Sequence, residues 1–227
     1  MMVRRHLNGF RTRLVATGWV IRRGAAGVLA RTAIVLIGAA LLIIGYLTVA
    51  LRGRVDPMSG LVSDYFYHRP GGPLFVTAVL LMVLGGLALA AALRRLGVPI
   101  QQSVRVLFRL WLGGLLVVAV FPGNRTSIDL SLHGEIHWFG GAVFLSCLPP
   151  ACWKLAHSMR SNPRWMAFAG HIHRLSAVGV LTAGAFGVSK LAPGLPQGLL
   201  ERFALGAEVV LLVVLALVIA RVERQSR

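Results

Sequence analysis

The amino-acid sequence predicts an all-α fold, a polytopic integral membrane bundle of about six transmembrane helices with both termini cytoplasmic. Three observations carry that prediction. Low-charge stretches of about twenty residues recur along the whole chain, each long enough to cross a hydrocarbon core of about 30 Å as a helix. Only 14% of the 227 residues are charged, where a soluble domain carries roughly 25%. The basic residues collect between alternate apolar stretches, as topology requires of a membrane protein. The apolar runs are continuous rather than alternating, which excludes a transmembrane barrel.

The first element is basic. Residues 1 to 31 hold seven arginines and no acid, and the first acidic residue is Asp56. Val3, Leu7, Phe10 and Leu14 recur at helical spacing with Arg4, Arg5, Arg11 and Arg13 between them. That pattern predicts an amphipathic N-terminal helix on the cytoplasmic membrane surface, followed by a six-helix transmembrane domain over 32–227. An apolar core ahead of a small-residue cleavage site is missing here, so a cleavable signal peptide is not expected. An arginine-rich start without acids also fits a mitochondrial presequence. A bacterial inner membrane is the first expectation for location, and a mitochondrial inner membrane the alternative.

Spanning helices are expected over 33–51, 73–93, 105–122, 136–156, 174–192 and 203–221. Proline and glycine punctuate the connections, as in Pro70-Gly71-Gly72-Pro73 and Pro122-Gly123. Pro149-Pro150 falls inside the fourth stretch and is expected to kink or break it. Glycine pairs such as Gly113-Gly114 and Gly140-Gly141 suit close helix packing. With the N-terminus inside, 18 of the 24 basic residues lie on the cytoplasmic side, a positive-inside bias.

That distribution also accounts for the net charge of +17. Arginines spread between apolar runs do not form the single basic face that nucleic acid requires, so membrane lipid is the expected partner and nucleic acid is not. Cys147 and Cys152 lie in an apolar segment and read as small buried residues, without a disulfide or metal pattern.

The acids divide in the opposite sense. Asp56, Asp64, Asp129, Glu135 and Glu201 fall on the outer side, and Glu208 lies in the outer half of the last helix. Insertion does not demand this, because acids contribute little to orientation. Asp129, His133 and His137 stand at i, i+4 and i+8, so a helix would carry them on one face. Two imidazoles at that spacing can reach one cation with a carboxylate to complete the set, making His133, His137 and Asp129 a candidate zinc site. The plainer reading is a polar helix start with histidines at the interface. Haem is not expected, because His171 and His173 fall in a cytoplasmic loop while His133 and His137 lie outside.

Glu208 is the sharpest single residue, since an acid inside an apolar helix costs a few kcal/mol to insert and usually faces a partner or a cavity. The candidate catalytic set is therefore Asp64, Asp129, His133, His137 and Glu208, acting as acid–base groups or ligands on lipid or isoprenoid material at the outer leaflet. The same groups would serve a transporter or small-molecule binding protein, or would only fold the loops of an accessory subunit.

Three stretches resemble a known family. "GLVSDYFYHRPGGPLFVTAVLLMVLGGLALAAAL" resembles the loop and second helix of the bacterial family catalogued as domain of unknown function 998. "VFPGNRTSIDLSLHGEIHWFGGAVF" resembles its junction between helices three and four, and "GLLERFALGAEVVLLVVLALVI" its last helix. The resemblance implies six spanning helices and a bacterial membrane, and implies no activity. Its motif positions fall on Ser63, Asp64, Pro122, His133, Gly134, Glu201 and Arg202. Asn124 stands where many members carry an acid, which departs from any metal reading at that junction.

Overall fold

The computed structural model describes residues 3–98, 100–124, 131–192 and 194–225, with side chains from Ala25 onward. Asp129, one of the candidate ligands, lies outside the described residues. All regular structure among them is helical. The long helices are α1 (Val3–Ala50), α2 (Gly71–Arg95), α3 (Gln102–Val120), α4 (Leu132–Arg160), α5 (Pro163–Ser189) and α6 (Gln197–Arg224), with a short 3-10 helix at Val62–Tyr67 between α1 and α2. Six segments, one in each long helix, are long and apolar enough to cross a membrane. The chain is a multi-pass integral membrane protein.

The helices pack in chain order, α1 on α2, α2 on α3, α3 on α4, α4 on α5 and α5 on α6, and α6 closes the ring against α1. Helix α6 also touches α2 and α4 across the bundle, which makes it the most central element. Its apolar composition suits that place, with Leu211, Leu212, Leu215 and Ile219 fully buried. Where α3 and α4 meet, glycine allows the approach. A Cβ on Gly114 would stand 2.7 Å from the Gly140 carbonyl oxygen, so any side chain there would force the helices apart.

Several helices are longer than their apolar stretches. Helix α5 begins at Pro163, eleven residues before the expected start, so His171 and His173 belong to it and not to a loop. The start is specified locally. The Asn162 side chain accepts from the Arg164 N–H at 3.1 Å, and Pro163 fills a first-turn position whose N–H has no helical partner. Arginine and histidine in the first turns lower the local hydropathy without disfavouring helix. Helix α1 likewise continues through residue 31, where a boundary was expected. At about 1.5 Å per residue it is far longer than the bilayer core, and the part suited to spanning is Ala25–Ala50.

Pro149 and Pro150 do not break α4, which continues from Leu132 to Arg160. Space for the first ring comes from Gly179 of α5, where a Cβ would approach Pro149 Cγ to 2.9 Å. The two prolines lack N–H groups, so the carbonyls of Leu145 and Ser146 have no donor one turn onward.

Candidate functional site

The site lies at the end of the bundle where loop 1 (51–70) and the described ends of loop 2 (121–124 and 131) emerge. Loop 1 is fixed first by its own residues. Asp56 accepts from the N–H of Met58 and of Ser59 and from the Ser59 hydroxyl, at 3.2, 3.2 and 2.7 Å. The Ser59 hydrogen bond leads in holding its carboxyl below the ordinary range. Asp64 accepts from the Leu61 N–H at 2.7 Å and opens the 3-10 helix.

Arg202 then ties loop 1 to α6. Its Nη1 donates to the carbonyls of Pro57, Gly60 and Gly198, at 3.0, 2.8 and 2.8 Å. Its Nη2 donates to the Tyr65 hydroxyl at 2.8 Å, which donates onward to Thr48 of α1 at 3.0 Å. The neighbouring Glu201 accepts from the Val62 N–H at 2.6 Å. Gly198 is required at this seam, because a Cβ there would meet the carbonyl oxygens of Gly60 and Pro57.

Loop 2 closes the other side. The Tyr67 hydroxyl donates to the Gly123 carbonyl and joins the two loops. Asn124 accepts from the Ser131 N–H at 3.1 Å and hydroxyl at 2.9 Å, and Ser131 caps α4 by accepting from Gly134 N–H at 3.0 Å. One turn into α4, His137 is buried and its Nδ1 lies 2.7 Å from the Phe121 carbonyl oxygen. A carbonyl only accepts, so Nδ1 carries the proton and Nε2 of the neutral ring presents a lone pair.

Between these elements is a cavity of about 400 Å³, lined by residues from all six long helices and the 3-10 helix. Its walls are mostly apolar, including Ile44, Val79, Met82, Phe144, Leu145 and Val209. Around its loop end stand Asp64, His137, Lys190, Glu201 and Arg202, and Glu208 lies deeper. Lys190 donates to Gln197 at 2.9 Å and sits 4.6 Å above the Trp138 ring. Asp64 and Lys190 are within electrostatic range of one another. Burial pushes the Asp64 carboxyl up and the Lys190 ammonium down, so each is drawn toward its neutral form. Groups whose proton affinity is shifted by burial and by a charged neighbour are candidates for acid–base chemistry.

Glu208 is 4% exposed. Its Oε2 accepts from Trp111 Nε1–H at 3.1 Å, and its Oε1 has no hydrogen-bond partner among the described residues. Helix α6 starts at Gln197, so Glu208 lies about three turns inside it rather than the single turn or so expected from the apolar stretch. Its burial and its bond to Trp111 put it in the bundle interior with a named partner.

Of the predicted residues, the fold brings Asp64, His137 and Glu208 to one cavity. His133 is exposed on the first turn of α4, with its ring 6.0 Å from that of Phe121, and it does not line the cavity. Among the described residues no three of His, Cys, Asp and Glu gather closely enough to hold a metal ion. Asn124, Trp111, Lys190, Glu201 and Arg202 complete the cavity lining and were absent from the candidate set. The family resemblance had marked Glu201 and Arg202 as motif positions, the one available signal. Trp111 had none, because a tryptophan in an apolar helix looks like any other core residue.

A sequence profile of the family described as "protein of unknown function (DUF998)" matches residues 36–218, most of the chain. No curated protein and no solved structure matches the chain.

Proposed function

The chain belongs to this family of unknown function, whose description names no activity, and from the geometry we propose that it is an intramembrane enzyme acting on an amphiphilic lipid or isoprenoid. One molecule would lie with its apolar part along Ile44, Val79, Met82 and Phe144 and its polar end among Asp64, His137, Lys190 and Glu201. The observation that supports this most directly is that Asp64, His137, Lys190, Glu201 and Glu208 line one largely apolar cavity. His137 Nε2 would act as the base, its tautomer set by the Phe121 carbonyl, and Asp64 as its acid–base partner. Zinc at His133, His137 and Asp129 forms no part of this mechanism, since His133 faces away from the cavity lining.

The protein would sit in a bacterial cytoplasmic membrane with the cavity opening to the outer leaflet, because that orientation leaves 18 of 24 basic residues inside. The basic segment 1–31 would then meet the anionic cytoplasmic leaflet, at roughly 1 kcal/mol per basic residue near the surface.

A second reading, transport of the same amphiphile, draws on Pro149-Pro150 in α4 beside the cavity, a place where a helix can bend. Lipid mass spectrometry of the purified full chain separates the two. Under the enzyme reading, wild type retains one amphiphile class in two chemical forms, substrate and product, and His137→Gln retains only the substrate form. Transport predicts one unaltered form in both proteins. Co-purified lipid matching the bulk membrane, in wild type and in the cavity-filling variant Gly206→Leu alike, would overturn both.

A further inference from the structure

Glu208 is deeper than the proposed headgroup site requires, and its environment restricts what can lie beside it. The residue is seven positions beyond Glu201 on α6, hence roughly 10 Å further from the loop end of the cavity. One carboxylate oxygen is held by Trp111 and the other is buried without a partner among the described residues. Among the described residues no Lys, Arg or His stands within hydrogen-bond reach of that oxygen. The α4 segment beside it carries the Ser146 hydroxyl, which is not bonded to that oxygen, and two backbone carbonyls without helical donors. Glu208 lies within electrostatic range of Cys147, and two residues before Cys147 begins the pair Leu145-Ser146 whose carbonyls lost their donors to Pro149 and Pro150. Both residues line the same cavity. A buried polar atom left unpaired in apolar surroundings is unfavourable, so the site is complete only when something in the cavity supplies the missing hydrogen bond.

We propose that the ligand is an amphiphile bearing a hydroxyl on its apolar body, roughly 10 Å from its polar head, and that Glu208, oriented by Trp111, reads that hydroxyl. The inference rests on the amphiphile reading of the cavity and specifies its substrate class. A hydroxyl is favoured over other polar groups because it is both donor and acceptor. It accepts from Glu208 when the acid is protonated and donates when the acid is ionised. A ketone serves only the first state and an ammonium only the second. A hydroxyl also donates to a free backbone carbonyl, which a ketone cannot do.

The test uses the full chain in lipid nanodiscs and three tritiated probes: octadecanol, its mid-chain hydroxy derivative and its mid-chain amino derivative, bound by scintillation proximity. Wild type is expected to hold the hydroxy derivative about tenfold more tightly than octadecanol, the effect of one well-placed hydrogen bond to a buried group. Glu208→Gln, whose amide also donates and accepts, keeps the preference. Glu208→Leu loses it while still binding octadecanol, which shows that the variant is folded. Equal binding of octadecanol and its hydroxy derivative by wild type overturns this proposal and leaves the amphiphile reading intact. Failure of wild type to bind any of the three overturns the amphiphile reading itself. A preference for the amino derivative that Glu208→Gln abolishes would replace the hydroxyl with a cation and overturn the assignment. So would a preference for the hydroxy derivative that survives in Glu208→Leu.

Discussion

Arg202 and Glu208 stand six residues apart on α6, and their surroundings give opposite answers to the same question. Both are charged groups in an apolar helix that crosses a membrane, where each polar atom needs a partner. Arg202 donates to four fixed acceptors, three backbone carbonyls and the Tyr65 hydroxyl. Glu208 has half a set, with Trp111 on one oxygen and none of the described residues on the other. An arginine tied to loop 1 by these bonds holds its neighbours in place. A glutamate that lines the cavity with one oxygen unpaired among the described residues has a hydrogen bond left to offer a ligand. The partners each residue has therefore separate the one that builds the site from the one that uses it, although an intramembrane charge alone would mark both as functional.

That contrast breaks most readily at Arg202. Arg202→Met should remove the fork that joins loop 1 to α6 and lower stability by about 2–4 kcal/mol, leaving four acceptors in a poorly hydrated seam. Thermal unfolding in detergent would show it, and Arg202→Lys should recover little, since an ammonium cannot match the planar fork. A variant as stable as wild type would remove the structural role assigned here. Next comes Gly198→Ala, expected to cost about 1–3 kcal/mol by pushing a methyl group into the Gly60 and Pro57 carbonyls. Its signature would be early protease cutting within loop 1 while the rest of the bundle stays intact.

Glu208 should behave in the opposite way. Replacing it by Leu removes one unsatisfied buried oxygen and leaves the buried Trp111 N–H without its acceptor, so the two effects offset and stability without ligand should stay within about 1 kcal/mol of wild type. A loss comparable to that of Arg202→Met, about 2–4 kcal/mol in protein stripped of lipid, would show that Glu208 is structural after all. The smallest effect is expected at Gly206, which lines the cavity and has nothing within 4 Å of an added Cβ. Gly206→Leu should gain about 0.5–1 kcal/mol from helix propensity while filling ligand space. A calorimetric scan paired with lipid extraction reads both, and retention of wild-type lipid would show that the leucine does not reach the cavity.

The helices were legible because bilayer thickness fixes the length of an apolar run and because six such runs are hard to mistake. Their ends were less so. Hydropathy falls wherever arginine and histidine enter, yet Asn162 and Pro163 start α5 by capping chemistry that hydropathy ignores. Prolines in α4 suggested a break, and only Gly179 on a neighbouring helix explains why the chain continues. Asp64 and Glu208 stood out as acids in unusual places, and His137 through its spacing from His133. That spacing also suggested that the two histidines act together, and the fold divides them: His133 is on the exposed face and His137 is turned in to the Phe121 carbonyl.

What the sequence determined alone is the membrane class, the number of spans and the residue types that would be costly to bury, since each depends on composition along one segment. Tertiary structure decided which costly residues found partners. The pairing of Arg202 with loop 1 joins positions about 140 apart in the chain, and that of Trp111 with Glu208 joins positions 97 apart. No local pattern encodes either, because a hydrogen bond depends on a few ångströms of separation, and that separation is set only when the helices pack.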